Sequence, residues 1–143
     1  MRRVIFAAVV AAFPFVALPA ATSAEANMLV RVDRATQTME VNVDGALIYR
    51  FPVSTGRRGF GTPAGSFRPQ RMAPRWFSTV YHNAPMPHAI FFHGGYAIHG
   101  TYDTARLGGP ASHGCIRLHP NDAATLFGLV QREGMHSTTI MVR

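Results

Sequence analysis

Apolar and polar residues alternate with period two along much of this chain, the spacing of a half-buried strand. MLVRV (28–32) and TMEVNV (38–43) show it first and predict two strands. Asp44-Gly45 separates MEVNV from ALIYRFPV, and that dipeptide favours a tight hairpin turn. GRRGFGTPAGSFRP (56–69) carries four glycines and two prolines, so a loop is expected, with a short strand starting at Ser66. RWFSTVY (75–81), HAIFFHG (88–94) and YAIHGTY (96–102) predict further strands. DTARLGGPASHG (103–114) predicts a loop, CIRL a short strand and STTIMV (137–142) a closing strand. One segment changes period. Ala123, Leu126, Phe127 and Val130 share a helical face, Asn121 is the expected N-cap, and Gly134 a C-terminal stop. The sum is a mainly β protein, a sandwich or barrel with one late helix.

The first residues break the pattern. MRRVIFAAVVAAFPFVALPAATSA has two arginines, an apolar run and a small-residue end, the layout of a secretory signal peptide. The expected division is a signal peptide over 1–24 and one domain over 25–143, with no membrane anchor left after cleavage. An apolar fraction of 48% against 15% charged residues argues for a packed core and against disorder. The net charge is +7, all from arginine. Twelve arginines against seven acids remain beyond residue 24, near +5. A basic surface suits an anionic wall polymer or lipid; export makes nucleic acid the least expected partner.

Export gives the single cysteine, Cys115, its meaning. Cysteines in an oxidising compartment usually pair, and an odd one is a crosslinker, a reactive thiol or a small buried residue. A thiol attacks as its thiolate, and a nearby histidine can take the proton. His99 and His113 are the candidates. If the strands holding His99 and Cys115 are neighbours, the two meet at one sheet edge. Gly114 lets the backbone bend, and the Gly114 and Cys115 amides are candidate oxyanion donors. Arg117 projects from the same strand face as Cys115 and suits a carboxylate.

HGTYDTARLGGPASHGCIRL (99–118) closely resembles the active-site signature of L,D-transpeptidases of the YkuD type. VSTGRRGFGTPAGSF (53–67) resembles the upstream segment of that family. The resemblance implies a β-sandwich with a mixed sheet and a helix. It also implies a bacterial cell-wall enzyme that uses no cofactor or metal. Its substrates are peptidoglycan stem peptides: the cysteine attacks the bond after the third residue of a tetrapeptide, expels D-alanine, and passes the acyl group to an amine. That amine belongs to a second stem's diamino acid, a D-amino acid or an outer-membrane protein. On this chain the resemblance makes Cys115 the nucleophile and His99 the base, oriented by the Gly100 carbonyl. His113 and Gly114 shape the oxyanion site, Arg117 lies in the substrate pocket, and Ser112 matches the Ser/Thr position. The signal peptide and the lack of a lipobox cysteine lead to the expectation of a periplasmic location. No wall-binding module accompanies the domain, so recruitment is expected to rest on its own surface.

Rival readings have less behind them. His93, His99, His113, Cys115 and His119 are legitimate zinc ligands, but no paired metal spacing joins them. A papain-like order puts cysteine before histidine, and a sortase lacks the S-H-G-C setting. A peptidoglycan hydrolase on the same fold, or a non-catalytic wall-binding protein, remains the alternative function. Trp76, Tyr81, Phe91 and Phe92 read first as core, with a substrate cleft as the other option and Tyr81 as its candidate contact. Arg57 and Arg58 read as solvated loop charges. His82, His88, His119 and His136 read as surface or packing residues, and His93 as pocket lining or packing.

Overall fold

The computed structural model describes residues 27–143. The signal-peptide reading lies outside those residues. The described residues form nine strands and one α-helix: β1 Met28–Asp33, β2 Thr38–Val43, β3 Ala46–Pro52, β4 Gly65–Phe67, β5 Arg71–Ala73, β6 Ala89–His93, β7 Tyr96–Gly100, β8 Ile116–Leu118, α1 Pro120–Glu133 and β9 Thr138–Val142. A five-stranded sheet runs β3-β2-β1-β9-β4, and a four-stranded sheet runs β5-β6-β7-β8. Both are mixed, because β1 pairs with β9 and β7 with β8 in parallel while the remaining pairs are antiparallel. The mainly β class with mixed sheets and one late helix therefore holds.

Alternation explains how the layers meet. Val30, Val32, Met39, Val41 and Ile140 leave one sheet, and Ile90, Phe92, Ile98, Ile116 and Leu118 leave the other. They join a single buried cluster, completed by Ala123, Leu126, Phe127, Leu129 and Val130 of α1. Met72 and Tyr96 also pack against this core, and the alternate positions of the four-stranded sheet point away from it. Ala89, Phe91 and Ala97 form a second, smaller cluster on the outer face, with Met86, Trp76 and Cys115 against it. That outer face carries the candidate chemistry. Asp44 and Gly45 both have positive φ, 50° and 82°, in the expected tight turn between β2 and β3.

Three local expectations change. Residues 75–81 form no strand: a bridge joins Phe77 to Pro85, and His82 and Asn83 turn the chain at φ 48° and 54°. Three-residue β5 takes the sheet edge instead. The helix begins one step earlier than Asn121. His119 is its N-cap, with Nδ1 accepting the Asn121 N–H at 3.2 Å, because Pro120 starts the helix with no N–H of its own to satisfy. Asn121 is thus the second helical residue. Gly134 ends α1 as expected, at φ 95°.

Candidate active site

β7 and β8 are neighbours, and His99 pairs with Arg117 in their register. His99, Cys115 and Arg117 all project from the outer face into one cleft of about 450 Å³. Ser112, His113, Tyr81, Trp76 and Phe91 also line it. Phe92 is core, only 1% exposed, and Phe91 is buried in the smaller outer-face cluster while also forming cleft wall. Trp76 and Tyr81 face the cleft, so for these two the core reading gives way to its alternative.

His99 is buried, and its Nδ1 lies 2.7 Å from the Gly100 carbonyl. A carbonyl only accepts, so Nδ1 carries the proton and Nε2 is left as the basic nitrogen. Burial pulls the His99 pKa down to about 4, against the raising effect of the Gly100 bond; the Arg117 charge lowers it further. The ring is neutral at neutral pH. Burial likewise pushes the Cys115 thiol up, while the Ala97 amide and Arg117 pull it down. Ala97 N–H donates to Sγ at 3.4 Å. The resting pair is therefore thiol and neutral imidazole. A standing thiolate does not fit this burial.

The turn before β8 is held by one hydroxyl. Ser112 Oγ accepts the Gly114 N–H at 3.0 Å and donates to the Cys115 carbonyl at 2.6 Å. The Gly114 carbonyl accepts from Thr62 Oγ1 at 2.8 Å, and that same oxygen accepts the Gly56 N–H at 2.9 Å. Gly114 sits at φ 120°, and a Cβ there would collide with the Tyr96 ring. Its amide is engaged by Ser112, so it is not a free oxyanion donor. The expected pair of amides reduces to that of Cys115. Ser112, 1% exposed, is a brace for the turn more than a substrate contact.

His113 is placed by three neighbours. Arg57 donates to its Nε2 at 2.9 Å, Tyr81 stacks on it at 4.2 Å, and Phe60 meets it edge-on at 4.9 Å. Desolvation and the Arg57 charge lower its pKa. Arg57 also lies over Phe60 at 4.3 Å, so it is not the solvated charge expected; Arg58 is exposed. Arg117 is half-buried, 4.0 Å from Asp103, which also pairs with Arg106. The five suggested zinc ligands do not converge. His93 stacks on Tyr96 and meets Phe67 at a tilt outside the cleft, and His119 caps α1. Among the described residues no group of three His, Cys, Asp or Glu is placed to hold a metal.

A half-buried thiol and a tautomer-fixed imidazole on one sheet face, braced by a Ser-His-Gly turn, invite comparison with known proteins. The family model for the YkuD L,D-transpeptidase catalytic domain matches residues 27–141. The chain belongs to the YkuD family. YkuD of Bacillus subtilis, named as an L,D-transpeptidase, is 27% identical over 104 residues, covering 71% of this chain and 59% of that protein. Among solved structures, an L,D-transpeptidase from Mycobacterium smegmatis superposes with a TM-score of 0.76 at 27% identity, over 82% of this chain and 59% of its own. One from Stackebrandtia nassauensis gives 0.72 at 26% identity, over 90% and 61%. The chain thus spans about three-fifths of the length of these relatives.

Some parts of this YkuD-family site went unread in the sequence. The segment between β5 and β6 folds over the cleft as a hairpin. Met86 N–H donates to the Trp76 carbonyl at 2.8 Å and Ser78 N–H to the Ala84 carbonyl at 2.9 Å. Its alternating aromatics imitate a core strand, and only the positive-φ pair His82-Asn83 betrays a turn. Thr62 and Arg57 reach the site from the glycine-rich loop, where composition marks a loop but not its destination. Among the described residues no helix is long and apolar enough to cross a membrane.

Proposed function

We propose that this chain is an exported cysteine L,D-transpeptidase acting on peptidoglycan tetrapeptide stems in the periplasm. His99 Nε2 takes the Cys115 thiol proton as Sγ attacks the carbonyl of the third stem residue. The Cys115 amide faces the developing oxyanion. The C–N bond to D-alanine breaks, the imidazolium returns its proton to the leaving amine, and a thioester remains on Cys115. An amine then attacks that thioester, its proton goes to His99, and the thiol is regenerated. With a second stem's diamino acid as acceptor the product is a 3→3 cross-link; an outer-membrane protein amine is accepted by the same chemistry. Arg117 offers a guanidinium to a substrate carboxylate beside the thiol.

One observation carries the reading beyond family membership. The Gly100 carbonyl accepts a hydrogen bond from Nδ1–H and leaves Nε2 as the basic nitrogen in the cleft that holds Cys115 Sγ. Mass spectrometry of disaccharide-tetrapeptide incubated with residues 25–143 tests it. The expected product is a dimer lighter than two substrates by one D-alanine, absent with Cys115→Ala. A tripeptide alone, even with added amine acceptors, would favour hydrolysis over transfer.

A further inference from the structure

Arg71 stands out on the cleft wall. Its guanidinium lies over the Phe91 ring at 3.8 Å and the Trp76 ring at 4.3 Å. Contact with two rings restrains a side chain that ordinarily roams, and the exposed guanidinium keeps N–H groups for a ligand. Among the described cleft-lining residues the only carboxylate is Asp103, which lies against Arg117 and Arg106. Arg71 has no such partner in the cleft.

Its position is set by the sheet. Arg71 pairs with Phe91 and Phe91 with Ala97. Ile98 pairs with Ile116 in parallel, so Ala97 is level with Cys115 one step back. Arg71, Phe91, Ala97 and Cys115 therefore form one row across the outer face. Three strand spacings put the ends of the row roughly 14 Å apart at Cα. Lying over Phe91, the guanidinium is nearer, roughly 10 Å from the thiol by the same spacing.

We propose that Arg71 is a specificity residue that binds a carboxylate of the acyl donor, two to three residues' reach from the attacked carbonyl. This rests on the stem-peptide reading above. An extended peptide advances about 3.5 Å per residue. Where the second residue of the stem is joined to the third through its side-chain carboxyl, its free main-chain carboxylate lies about seven bonds from the attacked carbonyl, roughly 9 Å along an extended chain, and is the one that fits. The cleft would then hold its donor by two guanidinium groups, Arg117 beside the thiol and Arg71 along the row, and would select stems whose second residue is not amidated.

Trp76 is the single tryptophan of the chain and touches Arg71, so its emission reports on this position. The probes are stem tetrapeptide with the second-residue carboxylate free or amidated, and glutarate as a simple dicarboxylate. They are titrated into Cys115→Ala protein with and without Arg71→Gln, and with Arg71→Lys as a charge-retaining control. Amidation is expected to weaken binding about tenfold, the scale of a charged hydrogen bond. Arg71→Gln is expected to erase the difference and the glutarate response, and Arg71→Lys to keep part of both. Equal binding of the free and amidated stems, or discrimination that survives Arg71→Gln, overturns the proposal. Failure of unmodified protein to bind or process either stem, with an Arg71-dependent glutarate response intact, overturns the stem-peptide reading and leaves the carboxylate site standing.

Discussion

His99 is a buried imidazole kept neutral, and that has a cost in acid. Its pKa is near 6.5 when unfolded and about 4 in the fold. The unfolded chain binds the extra proton between these values, so stability falls as pH drops through that window and is fully present above about 6.5. At about 1.4 kcal/mol per pH unit the loss amounts to about 3 kcal/mol. Thermal melts from pH 7 to pH 4 should show a drop that His99→Asn lacks; an equal drop in both proteins would contradict the assignment. Cys115 makes the complementary prediction. With its thiol raised by burial, the iodoacetamide rate should climb continuously above pH 7. A plateau beginning near pH 6 would reveal a standing thiolate–imidazolium pair instead. The chemistry-bearing residue types were legible in the sequence. Their protonation states were not, because burial decides them, and no linear motif reports how deep a side chain lies.

At the scale of elements, the turn leading into β8 matters most. Ser112 alone satisfies the Gly114 N–H and the Cys115 carbonyl at once. Ser112→Ala should lower stability by about 1–2 kcal/mol through the unsatisfied groups it leaves, and should reduce acyl transfer more than fold, since it loosens the Cys115 amide. Gly114→Ala should be worse on both counts, because of its φ of 120° and the Tyr96 ring. Urea melts and D-alanine release separate the two effects; Ser112→Ala with unchanged turnover would remove its bracing role. Strands with clear alternation, such as β1 and β2, were legible to within a residue. The 74–88 segment was not, since its apolar residues cover a cleft and not the core, and periodicity registers burial without saying against what. β5 was missed because three residues are too short for any period. Asn121 lost the cap to His119 because Pro120 fits the first helical position.

Across the whole molecule, the two sheets have unequal tasks. The inner faces and α1 share one core, while the outer face of the four-stranded sheet carries the proposed chemistry at two adjacent strands. Parallel pairing of β7 with β8 brings residues sixteen apart in sequence into one cleft. The sequence motif names both strands, but their adjacency follows only from the topology. The central claim is that the acyl group passes through Cys115. Its most direct test is peptide mapping by mass spectrometry of protein quenched in acid during reaction with tetrapeptide and no amine acceptor. The account predicts that the peptide containing Cys115 gains the stem's mass less D-alanine, and that Cys115→Ala neither gains it nor releases D-alanine. An acyl adduct on another residue, or D-alanine released at an undiminished rate by Cys115→Ala, would contradict it.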